Sequence, residues 1–261
     1  MRKYWSIFEI QLANGLAYPA ELVGRSLVIL PFMWIFYQLW RVTFAAAGTN
    51  VISGMTLEDT LWYLLIAETI ELSRPRLANA ISEAVKDGSI AYILSKPYDF
   101  LLYHYSSAMG ETLFRAALTF MVGGSLVWLL AGPPPAVFGL AAALPALIGA
   151  WTLNFCIAAL IGLTAFWVED TSAFQWIFQK LSFILGGLLI PLNFYPEWLQ
   201  QIARLLPFAA MTYVPARLFV QPSPEAFAAA LALQAFWIAL LAGALALVYR
   251  RSVAALTLNG G

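Results

Sequence analysis

Apolar positions in this chain gather into six long blocks, with polar residues at their ends and in the connections between them. The blocks run over residues 20–40, from 57 onward, and over 108–131, 138–168, 174–192 and 227–249. A helix of about 20 apolar residues crosses a hydrocarbon layer about 30 Å thick, so each block predicts a membrane-crossing helix. The second block is the exception in composition. It is apolar only over 61–67, after which Glu68, Glu71, Arg74 and Arg76 continue at helical spacing. Charges there must face protein, a water-filled cavity or the cytoplasm rather than lipid.

Ahead of the first block, Tyr4, Phe8, Leu12 and Leu16 recur every four residues, while Arg2, Lys3, Glu9, Gln11 and Asn14 take the other faces. That spacing fits a helix of about residues 2–17 lying in the headgroup plane, ended by Pro19. A cytoplasmic extension of the first span fits it as well. The longest polar stretch is 73–107. The segment 193–224 carries Pro196, Pro207, Pro215, Pro222 and Pro224 around two apolar patches too short and too broken to span. Glu169 and Asp170 end the fourth span, and Arg250 and Arg251 end the sixth. The two halves show no repeat by eye, which weighs against an inverted-repeat secondary transporter.

Composition fixes the environment: 62% of the 261 residues are hydrophobic, 11% are charged, and the mean hydropathy is +0.78. Such a chain cannot clothe a water-soluble surface, and six helices leave no length for a soluble catalytic domain. The 14 basic and 14 acidic residues cancel, so the chain offers no field for a polyanion, and nucleic acid is not an expected partner. Single residues of each type, Cys156 and His104, exclude an intrachain disulfide and a Cys/His metal cluster within one subunit. No cleavable signal peptide is read at the N-terminus. With a cytoplasmic N-terminus, six spans put Arg2, Lys3, Arg25, Arg74, Arg76, Lys86, Lys96, Arg115, Lys180, Arg250 and Arg251 in or toward the cytoplasm. Only Arg41, Arg204 and Arg217 fall outside, so both termini are expected in the cytoplasm.

The connection after the second span carries the most local information. Gly88 suits a left-handed residue closing one helix, Ser89 a cap for the next, and Pro97 drives Lys96 out of helical geometry. The reading is a short amphipathic turn on the membrane surface with Ile90, Ile93 and Leu94 on one face. It either receives force from a soluble partner or is an ordinary helix connection.

With these residues in view, the chain resembles the membrane subunit of bacterial type-2 ABC exporters, and within it a group of paired permeases. The resemblance rests on Ile81, Gly88, Ile90, Leu94, Lys96 and Pro97, and on Pro191, Leu192, Tyr195, Pro196, Trp198, Leu199, Leu206, Pro207, Phe208, Tyr213 and Pro215. It implies an all-α polytopic protein of one domain over 1–261. The parts would be an N-terminal elbow helix, six transmembrane helices, a cytoplasmic coupling helix and an extracellular re-entrant hairpin. It further implies that Ile81, Glu83, Lys86, Asp87, Gly88, Ile90, Leu94, Lys96 and Pro97 dock an ATPase subunit. Pro191, Tyr195, Pro196, Trp198 and Pro207 would then belong to the hairpin.

No Gly-x-x-x-x-Gly-Lys-Ser/Thr run occurs, so ATP and its Mg are expected on a separate nucleotide-binding polypeptide, with no cofactor or metal in this chain. A second permease, identical or homologous, and membrane lipid complete the expected partners, in a bacterial cytoplasmic (inner) membrane. Glu68, Glu71 and Lys180 are candidates for the substrate path, with helix-end solvation or snorkelling as the plainer alternatives. Glu111 and Arg115, four residues apart, are expected to pair. An amphipathic drug-like, lipid-like or peptide-like compound is the implied substrate. An ion-coupled transporter or a polytopic membrane enzyme are the rival classes, the latter needing clustered Asp, His, Ser or Lys that this chain lacks.

Overall fold

A computed structural model describes residues 2–17, 24, 26–136, 138–168 and 170–259. Pro19, Arg25 and Glu169, on which three of the expectations fall, lie outside the described residues. The described residues form helices and no strand, as runs of apolar side chains without a period of two require. In chain order the helices are α1 (Arg2–Ala17), α2 (Ile29–Ala47), α3 (Leu57–Leu72), α4 (Leu77–Lys86), α5 (Ile90–Leu94) and α6 (Phe100–Ala131). They continue with α7 (Gly139–Leu163), α8 (Ser172–Leu185), α9 (Glu197–Leu205), α10 (Pro207–Met211), α11 (Tyr213–Val220) and α12 (Pro224–Asn259).

Among the described residues, three stretches are long and apolar enough to cross a membrane: Phe100–Ala131, Gly139–Phe166 and Pro224–Ala254. The other expected spans are shorter. At 1.5 Å per residue, α2, α3 and α8 reach about 28, 24 and 21 Å, against a layer of about 30 Å. The last span buries only 11% of its most apolar window, so its Ala- and Leu-rich surface is left for lipid or another chain.

Several boundaries differ from the sequence reading. The first span runs on to Ala47, past Arg41, and Gly48 ends it in the left-handed region at φ 63°. The third starts at Phe100, so residues 100–107 belong to a helix rather than to the polar loop; Asp99 caps it by accepting from the Leu102 N–H at 2.8 Å. The fifth stops at Leu185, and the sixth continues beyond Arg250 and Arg251. The helical spacing also fails at Arg74 and Arg76, because α3 stops at Leu72 and both arginines sit in the turn leading to α4.

α3 is the axis of one half of the packing. Thr56 and Asp59 form a reciprocal capping box at its start, and residues 59–70 are all buried among α2, α6 and α11. α7 is the axis of the other half and packs against α4, α10, α11 and α12. Close approach needs glycine here. A Cβ at Gly139 would lie 1.9 Å from the Phe219 carbonyl oxygen, and one at Gly162 would lie 2.9 Å from the Ile81 Cβ. A buried amide adds a polar tie: Gln234 of α12 donates to the Ala146 and Ala210 carbonyls at 2.8 and 2.9 Å, groups that no water could satisfy in a membrane interior.

α1 lies along α6. A Cβ at Gly110 would meet the Phe8 carbonyl oxygen at 2.6 Å, and Lys3 donates to Pro97 O while the Asp99 N–H donates to the Tyr4 hydroxyl. The N-terminal helix is thereby fastened to the end of the loop that follows α5.

Candidate functional site

Two cavities meet at a short ladder of charged residues between α3, α6 and the α3–α4 turn. Glu71, on the last turn of α3, pairs with Arg74 at 2.9 Å, and each side chain keeps 15% exposure. On α6, Glu111 and Arg115 pair at 2.6 Å, as their spacing predicts. The Arg115 guanidinium reaches the Arg74 carbonyl at 3.5 Å, which links the two pairs. The face of the Arg74 guanidinium lies 5.3 Å from the Phe178 ring of α8, a cation–π contact that holds the charge in an otherwise apolar wall.

Glu71, Arg74, Arg76 and Gln179 line both cavities. The first, about 420 Å³, is walled by Trp151 and Phe155 of α7, Trp176 and Phe178 of α8 and Met109 of α6, with Thr112 and Asn154 as isolated polar groups. The second, about 500 Å³, lies toward α2 and takes in Phe32, Glu68, Arg115, Thr119 and Phe183. Both cavities thus combine an apolar, aromatic wall with a few converging charges.

Of the residues expected along the substrate path, Glu68 lines the second cavity and Glu71 lines both. Lys180 does not join them. It is exposed on α8, its ammonium 5.6 and 5.5 Å from the centroids of the Trp176 and Phe183 rings. The sequence reading passed over Thr112, Asn154 and Gln179. A lone Asn inside the apolar run of α7 was the available signal, since an amide at membrane depth marks a polar contact or a path. Asn154 spends its Nδ2 on the Ala150 carbonyl at 3.1 Å, and its Oδ1 has no partner.

The loop expected to dock a partner starts directly behind this ladder. α4 and α5 are joined by Asp87, Gly88 and Ser89, with Gly88 at φ 77° as its position requires. Ser89 does not cap α5 with its side chain; Asp87 accepts from the Ser89 N–H at 2.8 Å instead. The Ser89 side-chain and backbone donors hold the Asp87 carboxyl below the usual carboxylate range. Lys96 donates to the Tyr92 hydroxyl at 2.5 Å, which raises the pKa of the ammonium and lowers that of the phenol. At the start of α8, Asp170 is held low chiefly by the Ser172 side-chain and backbone donors and also by the charge of Lys86.

Residues of the loop divide by burial. Glu83, Lys86, Asp87, Gly88 and Pro97 are exposed, and Leu94 and Lys96 are half-buried. Ile81 and Ile90 are turned inward, 1% and 2% exposed, into a cluster with Leu77, Phe100, Phe155, Ala159 and Leu163. Ile90, Ile93 and Leu94 do share one face, but it turns inward: Ile90 is buried in this cluster and Ile93 and Leu94 are half-buried against it. Ile81 and Ile90 fasten the loop to α6 and α7, and any outward contact falls to the exposed residues.

On the opposite side of the fold, residues 191–221 close over the ends of α2 and α3. Pro191 is buried and leads a short 3₁₀ turn (Leu192–Phe194), Pro196 precedes α9, and Pro207 is buried at the first position of α10. Tyr195 donates to the Ile184 carbonyl at 3.0 Å, and Trp198 is exposed. Asn193 binds this segment together by accepting from Tyr213 and from Arg217, the latter at 3.2 Å. Tyr63, buried in α3, donates to the Gly187 carbonyl at 2.7 Å, tying the stretch that leads into this segment to the helix that also carries Glu68 and Glu71.

A family model described as ABC-2 family transporter protein matches residues 28–260. No curated protein and no solved structure matches the chain at a significant level.

Proposed function

The chain belongs to the ABC-2 family of transporter proteins, membrane subunits that work with an ABC ATPase, and on that premise we propose that it forms half of the substrate pathway of an ATP-driven exporter. In this reading α2, α3 and α8 complete six crossings with the three longer helices, and the 1–261 chain is a single permease domain. α1 serves as an interfacial elbow, and α4–α5 as the coupling element on the cytoplasmic side. A second permease, identical or homologous, supplies the other half. ATP and Mg are handled by the separate ATPase.

The observation that carries the reading is the direct packing of the loop onto the pathway helices. Ile81 presses on Gly162 of α7, and α7 also carries the Trp151, Asn154 and Phe155 wall of the first cavity. ATP-driven closure of an ATPase pair against Glu83, Lys86, Asp87 and Lys96 would displace α4. Packed elements switch between discrete arrangements rather than deform smoothly, so that push would change the shape of the cavities. Their aromatic walls and charged ladder suit an amphipathic compound that carries polar or ionic groups.

The test is copurification with the ATPase, followed by ATP hydrolysis and transport in lipid vesicles with Lys86 and Asp87 exchanged for Asp and Lys. Assembly and hydrolysis should fall together. Transport that persists without ATP and collapses with an ion gradient would instead establish an ion-coupled carrier.

A further inference from the structure

A third cavity, about 340 Å³, lies between the α9–α11 segment and the first turns of α12, away from the charged ladder. Its polar lining is Arg204, Tyr213, Arg217, Gln221 and Ser223. Its apolar lining comes from Val214 and Leu218 of α11 and from Ala226, Ala229, Ala230 and Leu233 of α12. Neither arginine has a carboxylate partner among the described residues. Arg204 donates to the Gln200 amide oxygen at 2.9 Å, and Arg217 bonds only the neutral oxygens of Asn193 and Tyr213. Of the carboxylates on this side, Asp59 is occupied in capping α3 and accepts from Gln221 at 3.3 Å. Glu58 of α3, Glu197 of α9 and Glu225 in the first turn of α12 are exposed, and none of them pairs with either arginine.

We propose that this cavity holds the headgroup of an anionic phospholipid, its phosphate at Arg204 and Arg217 and the start of an acyl chain along the alanines of α12. The argument is one of matched gradients. Gln221 and Ser223 come just before α12, and the apolar lining follows the first three turns of a helix that leaves nearly all of its most apolar window uncovered. A lipid offers the same order, charge outermost and hydrocarbon inward. Two guanidinium groups with no neutralising carboxylate favour a net negative headgroup over a zwitterionic one, and planar guanidinium is the side chain best suited to phosphate. The partial positive charge at the α12 N-terminus acts in the same sense. The site would bridge the hairpin-like segment to the last span, so occupancy would hold α9–α11 against α12. It needs only the membrane setting, and does not depend on the direction or energy source of transport.

The experiment uses the purified full-length chain in detergent, titrated with phosphatidylglycerol, phosphatidylcholine or inorganic phosphate, and reads the thermal unfolding midpoint together with bound lipid by native mass spectrometry. Phosphatidylglycerol should raise the midpoint saturably, phosphatidylcholine far less, and phosphate not at all. Arg204→Gln, at an exposed position, should weaken the phosphatidylglycerol affinity about tenfold, the loss of one charge-assisted hydrogen bond. Ala229→Trp should block the cavity while keeping both arginines. Equal effects of the two lipids, a full shift with phosphate alone, or parental binding by both variants would overturn the assignment.

Discussion

Gly162→Ala tests whether force passes from the loop to the pathway through the α4–α7 contact. The added Cβ would lie 2.9 Å from the Ile81 Cβ, 3.2 Å from the Ala78 oxygen and 3.3 Å from the Ala78 Cα. Carbon atoms rest about 3.5–4.0 Å apart, so α4 must retreat by roughly 0.6–1.1 Å. Two of the three obstructing atoms are backbone and cannot turn aside. Overpacking of this kind costs about 1–3 kcal/mol, equivalent to about 5- to 150-fold in a two-state equilibrium. The exposed residues Glu83, Lys86 and Asp87 are untouched, so binding of the ATPase and its basal hydrolysis should survive. What should fall is the response of the cavities. Gln179→Cys, which lines both, reports this through its rate of reaction with a charged maleimide before and after ATP, against the background of the buried native Cys156. The parent should show an ATP-dependent change in rate, and the Gly162→Ala form a much smaller one. Gly124→Ala is the control, because its Cβ would find nothing nearer than 3.6 Å. An undiminished ATP response in Gly162→Ala, with assembly intact, would refute the force path.

Glu71→Gln leaves the Arg74 guanidinium without its carboxylate partner in a largely buried site. It should destabilise the chain by about 3 kcal/mol, the lower end of the range for a broken buried pair because the cavities admit water; the Glu71→Gln/Arg74→Gln double variant should regain part of this in a thermal unfolding series. Gly139→Ala directs a methyl group to within 1.9 Å of the Phe219 carbonyl oxygen, and a loss of about 3 kcal/mol or more in the same assay is expected where backbone blocks relief. Because the folded Asp87 carboxyl lies below its unfolded value, its contribution is present above the unfolded pKa, about 3.9, and is lost as pH falls through the folded one. Hydrogen exchange in residues 87–91 should therefore show constant protection from about pH 5 to 8 after correction for intrinsic rates. Asp87→Ala should lose protection throughout that window, and an unchanged loop in Asp87→Ala would remove the turn from the account.

Local chemistry made several elements readable. The α4–α5 turn follows from Gly88, and the Glu111–Arg115 pair follows from its spacing; the start of the second block near Leu57 holds as well, fixed in the structure by Thr56 and Asp59, whose capping spacing was a signal left unused. Boundaries failed where packing overrode composition. Residues 100–107, with Tyr103, His104, Tyr105, Ser106 and Ser107, look like loop until α1 and Tyr249 cover them: Phe100 stacks on Tyr249 at 5.4 Å and Tyr4 receives the Asp99 N–H. Lys180 was left between the path and snorkelling for a related reason, since a helix places each side chain but not the side from which its neighbours approach.

What the sequence determined by itself was the solvent and the element type. Apolarity over a window adds up residue by residue, so a membrane setting and an all-helical chain needed no partner contacts to be inferred. Tertiary structure alone decided which faces meet. The two cavities join α3, α6, α7 and α8, helices whose rotations about their own axes are set by contacts such as Gly162 on Ile81 and Gly110 on Phe8. A shift of one residue turns a helix by about 100°, so the same apolar runs could bury Asn154 or expose it, and only the packed chain selects between them.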